Sequence, residues 1–158
     1  MNSSMFMAFM RIAERLNHEL KIKPLLYGSL GLEQVANLAL NPSDIDILIP
    51  QPFIESRFGE IEKIMNDLGY RLIDLSEHEF VAETMHVAFA KIEELGAFAD
   101  IDVGSIRDYK ADGIEYKLLN LEQYYSVYKR SSADGYRKTK KNKQDNEKIR
   151  MIELILSK

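Results

Sequence analysis

The chain has no cysteine among its 158 residues, which rules out disulfides and thiolate-bound metal. Its three histidines, His18, His78 and His86, stand at no metal-ligand spacing. Nowhere does an apolar run approach the ~20 residues a membrane-spanning helix requires. The apolar opening Met5-Phe6-Met7-Ala8-Phe9-Met10 is short and lacks both a basic flank and a small-residue cleavage site, so a cytoplasmic protein with no membrane partner is expected. Excess positive charge is also missing: the net charge of -4 argues against a dedicated nucleic-acid binder. There is no internal repeat and no low-complexity segment. A chain of 158 residues suits one domain, or one domain with a small helical appendage. At that size roughly 68 to 70% of the unfolded surface is buried, so the core needs no covalent staple.

What the chain does have is concentrated in residues 25 to 50. Leu25-Leu26-Tyr27 reads as a short apolar strand ending at a Gly28-Ser29 turn, and Asp44-Ile45-Asp46-Ile47-Leu48-Ile49 as a strand that opens on two carboxylates. Side chains alternate faces along a strand, so Asp44 and Asp46 share one side while Ile45 and Ile47 enter a core. Two such acids suit a hard cation, and Mg²⁺ keeps part of its shell for waters and substrate phosphates. Gly28 lets a ligand approach the backbone closely because it has no Cβ. Ser29 adds a hydroxyl and an N–H, and a helix starting there favours an anion. Together these residues outline a metal and phosphate site.

Around this stretch the periodicities predict supporting elements. A first helix, capped by Ser3 or Ser4 and running to about His18, carries Phe6, Phe9, Ile12, Ala13 and Leu16 on one face. A short helix through Leu32, Val35, Ala36 and Ala39 stops at Asn41-Pro42. A longer helix spans about Ile54 to Leu68 and ends at Gly69. It leads to a strand over 70–75, which makes a strand–helix–strand crossover. Further strands are expected at Phe80–Ala82, at Met85–Lys91, at Ala97–Val103 after a turn at Gly96, and at Ile114–Leu119 after an Asp112-Gly113 turn. A helix from Leu121 to about Ser131, a basic stretch over 136–143, and a last helix opened by Asp145 and Glu147 complete the chain. The fold class is therefore α/β or α+β: a mixed, twisted sheet of about five strands flanked by helices. The organisation is residues 1–119 as the main domain and 120–158 as a C-terminal helical segment with a basic loop.

The Gly28-Ser29 turn after a strand, followed by Asp44-x-Asp46 heading the next, resembles the nucleotidyltransferase superfamily to which DNA polymerase β belongs, over residues 20–105. Within it the chain looks similar to the small bacterial enzymes that adenylylate antibiotics such as aminoglycosides and lincosamides. The resemblance implies that Gly28 and Ser29 hold a nucleoside triphosphate, ATP first among them. It implies that Asp44 and Asp46 bind Mg²⁺, in a site that can take two ions, and that a third acid on a later strand completes it. Asp102 in Ile101-Asp102-Val103 fits that position, with Asp100 as its rival, because the choice depends on register. The implied reaction moves a nucleoside monophosphate to an acceptor hydroxyl with release of pyrophosphate. The acceptor is a small molecule, or alternatively a protein side chain or an RNA end.

Two features depart from the family pattern: sixteen positions separate Gly28 from Asp44, and no basic residue follows Ser29 closely. The second favours an alternative in which the domain binds a nucleotide or a partner protein without turnover. Lys138, Lys140, Lys141 and Lys143 offer cations for a triphosphate, against the plainer reading of a solvated surface. His86 reads as a packed or surface residue, and Tyr124, Tyr125 and Tyr128 as a helix packing face.

Overall fold

The structure is a computed structural model that describes residues 4–133 and 142–157. Its first helix, α1 (Ser4–Leu20), buries Phe9, Ile12, Ala13 and Leu16 as the spacing predicts. Then follow β1 (Leu25–Tyr27), α2 (Gly28–Ala36), β2 (Asp44–Ile49), α3 (Pro52–Glu55), α4 (Phe58–Asp67), β3 (Arg71–Asp74), β4 (Glu79–Ala82) and β5 (Met85–Lys91). The remainder is α5 (Glu94–Ala99), a 3₁₀ turn (Val103–Ser105), β6 (Arg107–Ala111), β7 (Ile114–Leu118), α6 (Leu121–Ala133) and α7 (Asn142–Leu156).

Seven strands form one mixed sheet in the order β3-β4-β5-β2-β1-β7-β6, against about five expected; β3 falls within the strand expected over 70–75, and β6 is the edge strand that was not anticipated. The central strand β2 runs antiparallel to β1 and parallel to β5. The crossover from β2 through α3 and α4 therefore returns to pair only after the β3–β4–β5 meander. Alternation along the central strands sorts their side chains onto two cores. Leu26, Ile45, Ile47, Val87 and Phe89 pack against α1 and α4. Leu25 and Leu48 join Leu32, Leu95, Ile101, Tyr124, Val127, Ile149 and Ile152 on the other face. The C-terminal helices thus share a core with the strands that carry the site.

The expected helix over 54–68 is broken in two. Pro52 starts a single turn, and its carbonyl accepts from both Ser56 and Arg57 at 3.0 and 2.9 Å before α4 begins. The expected strand over 97–103 is overturned, since Glu94–Ala99 is a helix. Asp100 ends it in the left-handed region at φ 56°, and Ile101 N–H reaches back to the Leu95 carbonyl at 3.2 Å. This is a helix-closing arrangement, with Leu95 and Ile101 both buried. Alternating Ala-Phe-Ala-Asp-Ile-Asp-Val reads as a strand, yet Leu95 and Ile101 enter the core together only when the chain closes a helix between them. Lys138, Lys140 and Lys141 lie outside the described residues, and Lys143 falls in the first turn of α7.

Candidate active site

Helix α2 begins at Gly28 itself, directly off the end of β1. Gly28 takes φ +67°, where a side chain is strained, and a Cβ on it would sit 2.6 Å from Asp46 Oδ2. Tyr27, at the N-cap, makes no side-chain cap bond, and Gly28 and Ser29 of the first turn line a cavity, the setting in which a helix start favours an anion. The long connection to β2 is secured from beneath: the nine-tenths-buried Glu33 accepts the Leu40 N–H at 2.9 Å. That contact delivers Ser43 and Asp44 back to the same opening.

Register across the sheet places the acids. Tyr27 on β1, Asp46 on β2, Ala88 on β5 and Glu79 on β4 form one row. The next row holds Asp44, His86 and Val81. Asp44 is exposed and Asp46 half-buried, whereas Ile45 and Ile47 are fully buried behind them. In front lies a cavity of about 370 Å³. Gly28, Ser29, Ser43, Asp44 and Asp46 line it, together with Ala88 and Ala90 of β5. Helix α6 adds Tyr124, Tyr128 and Ser131, α7 adds Lys148, and Glu77 comes from the turn before β4.

Gly28, Ser29, Asp44 and Asp46 are thus brought to one cavity. Asp100 and Asp102 are not among its lining residues. Asp100 closes α5, and Asp102 accepts the Gly104 N–H at 3.0 Å while its carbonyl accepts the Ser105 hydroxyl at 2.7 Å. Both perform turn chemistry. Among the described residues no three His, Cys, Asp or Glu side chains are grouped to hold a metal. The donors that are present, Asp44 and Asp46, fit Mg²⁺ in the manner in which that ion is held by one or two carboxylates plus substrate phosphates.

Two features escape a sequence reading. Lys148 lines the cavity with its Nζ 5.7 Å from the centre of the Tyr128 ring. The available signal was its place beside Ile149 and four residues before Ile152, the buried anchors of α7. His86, next to Asp44 across β5, has its Nδ1 2.8 Å from Glu79 Oε2. The tyrosines behave as a packing face should: Tyr124 is fully buried and donates to the Leu26 carbonyl at 2.8 Å, and burial pushes its hydroxyl well above the usual range.

The architecture is nucleotidyltransferase-like. The crystal structure of ANT(2")-Ia in complex with adenylyl-2"-tobramycin superposes with a TM-score of 0.64 at 14% identity, covering 97% of this chain and 90% of that one. The solution structure of the antibiotic-resistance factor ANT(2'')-Ia gives 0.65 at 14% identity, covering 98% and 86%. In sequence, the chain belongs to the family of "Uncharacterized protein YnaI" of Bacillus subtilis (strain 168). The two are 43% identical over 148 residues, 94% of this chain and 95% of that protein. No protein-family model matches. No helix among the described residues is long and apolar enough to cross a membrane.

Proposed function

We propose that this chain is a nucleotidyltransferase that moves the nucleoside monophosphate of ATP to an acceptor hydroxyl, with residues 1–119 carrying the nucleotide site and 120–158 closing it. The observation that carries this reading is the convergence of Gly28, Ser29, Asp44 and Asp46 on one cavity at the start of α2. The Ser29 hydroxyl and the first-turn N–H groups of α2 hold the β- and γ-phosphates, and Lys148 balances charge from the far end of the chain. The acceptor oxygen bonds to the α-phosphorus, the bond from that phosphorus to the β-bridging oxygen breaks, pyrophosphate leaves, and the acceptor proton passes to solvent. Catalysis of this kind is largely positioning and charge neutralisation. Asp44 and Asp46 would hold Mg²⁺, which when bound would neutralise triphosphate charge. A small hydroxylated acceptor suits a cavity of about 370 Å³, and the adenylylated tobramycin bound by ANT(2")-Ia supports a small molecule over a protein or RNA end. A cytoplasmic setting, where ATP is at hand, goes with this reading.

A second reading, nucleotide binding without turnover, is favoured by Ala88 standing beside Asp46 where a further carboxylate would complete a metal site. One experiment separates the outcomes: calorimetry of ATP with and without Mg²⁺, on the wild type and on Asp44→Asn/Asp46→Asn, followed by pyrophosphate release with a panel of hydroxylated acceptors. The proposal expects Mg²⁺-dependent binding that the double variant loses, and release with at least one acceptor. Binding without release across the panel leaves the non-catalytic reading standing. No binding by folded wild type overturns both.

A further inference from the structure

We infer that this site takes a single divalent cation together with its nucleotide, and that Ala88 is the position that excludes a second. The inference rests on the nucleotidyltransferase reading of the same site. Strand β2 has two neighbours, and they set what can stand beside its acids. Opposite Asp46 these are Tyr27 on β1 and Ala88 on β5. Neither brings a carboxylate, and a tyrosine hydroxyl is a poor ligand for Mg²⁺ beside carboxylates.

In the row one step along, His86 faces Asp44. Its Nδ1 is engaged by Glu79, and imidazole suits softer transition metals rather than Mg²⁺. Glu79 sits in the same row as Asp46 but on the far side of Ala88. With strands ~4.8 Å apart it lies roughly 10 Å across the sheet, too far for its carboxylate to share an ion with Asp46 while bonded to His86. Asp100 and Asp102 are committed to turns. Two carboxylates suffice for one ion that brings phosphate oxygens as its remaining ligands. A second ion some 3.5 to 4 Å away, toward the acceptor, would have Asp44 and Asp46 to share and no carboxylate of its own from the sheet; Glu77, which also lines the cavity, stands on the exposed turn before β4, outside these rows. The methyl group of Ala88 occupies the position on β5 beside Asp46, half-exposed to the cavity, from which the sheet could supply such a ligand.

The test counts ions. Protein saturated with a non-hydrolysable ATP analogue is titrated with Mn²⁺, and the bound ion is read from the loss of the free-Mn²⁺ paramagnetic resonance signal. The wild type is expected to stop at one Mn²⁺ per nucleotide complex, and Ala88→Asp at two. Ala88→Asn, similar in size and uncharged, is expected to stay at one, and it separates a gained ligand from a disturbed strand. A wild type that binds two overturns the inference, as does a folded Ala88→Asp that still binds one. Should Ala88→Asp not fold, the wild-type count decides alone, with Glu77→Gln and Glu79→Gln reporting whether a second ion uses either carboxylate. A wild type that fails to bind the analogue at all defeats the nucleotidyltransferase reading instead, so the two failures are distinct.

Discussion

The Asp46 carboxylate lies against the bare α-carbon of Gly28: a Cβ at that position would be 2.6 Å from Asp46 Oδ2. The end of β1 and the middle of β2 are thus fitted to one another, and the fit exists because residue 28 has no side chain. Gly28→Ala therefore imposes two separable penalties. The left-handed φ costs roughly 1 to 2 kcal/mol, a loss of a few degrees in Tm for a chain of this length. The clash displaces the carboxylate, and Mg²⁺-dependent ATP binding is expected to fall more than tenfold. In Gly28→Ala/Asp46→Ala the clash is gone, so thermal melting should recover to the φ penalty alone while calorimetry shows no return of binding. Full recovery of binding in the double variant would remove Asp46 from the site.

The Gly28-Ser29 turn and the Asp44/Asp46 pair were legible in the sequence because local rules specify both: a glycine where a helix leaves a strand, and acids at alternating strand positions. What surrounds them was not. Which residue of β5 faces Asp46 is decided by register between strands some forty residues apart, and no local pattern contains it. The stretch 97–103 misled because its alternation satisfies a strand, whereas Leu95 and Ile101 are buried together only if the chain closes a helix between them. Lys148 reaches the cavity through the packing of α7 on α6, a tertiary choice that the basic run over 136–143 concealed. The edge strand β6 is largely exposed and mixed in composition, so its alternation is weak. It is the strand for which the sequence offered no candidate, whereas β3 falls within the strand expected over 70–75.

Tyr124 joins α6 to β1 by donating to the Leu26 carbonyl at 2.8 Å, and Gly31 makes room for that bond. A Cβ on Gly31 would lie 2.2 Å from the Tyr124 hydroxyl and 2.3 Å from the Leu26 carbonyl oxygen. Tyr124→Phe should lower the unfolding free energy by about 1 to 2 kcal/mol, measured by urea denaturation. Gly31→Ala should cost more, about 3 kcal/mol, since the helix must move off the strand. The two changes are not expected to cancel: Gly31→Ala/Tyr124→Phe keeps the clash with the carbonyl and should remain less stable than Tyr124→Phe alone. Equal stability of those two proteins would show that the hydroxyl, not the backbone, sets the approach of α2.

At the far side of the sheet Asp108 accepts from Lys117 at 2.5 Å and from Lys23 at 3.2 Å. The hydrogen bond from Lys117, supported by Lys23, holds its carboxyl below the usual range. A carboxyl with a depressed folded pKa contributes stability in full above its unfolded value of about 3.9, and that contribution is lost as pH falls through the folded value. The pairs are partly exposed, with 46% of the Asp108 side chain accessible, so the effect is only about 0.5 to 1 kcal/mol. Asp108→Asn should be less stable than wild type by that amount at pH 7, and the difference should shrink as pH falls below about 3.9 and vanish once Asp108 is protonated in the folded protein too. A difference that persisted there would assign the loss to packing rather than to charge.

Lys148 comes to the cavity from α7, more than a hundred residues after Ser29 in sequence, and no basic residue closely follows Ser29. If it balances triphosphate charge, Lys148→Met should weaken Mg²⁺·ATP binding by about tenfold, equivalent to ~1.4 kcal/mol. The loss should be larger at low ionic strength than at high, because the attraction is screened. AMP, which lacks the β- and γ-phosphates, should bind wild type and variant alike. That comparison carries the argument, since a variant that merely loosened α7 against Tyr128 would weaken both ligands together. Equal loss for AMP and ATP would make Lys148 a packing residue and leave the phosphates to α2 alone.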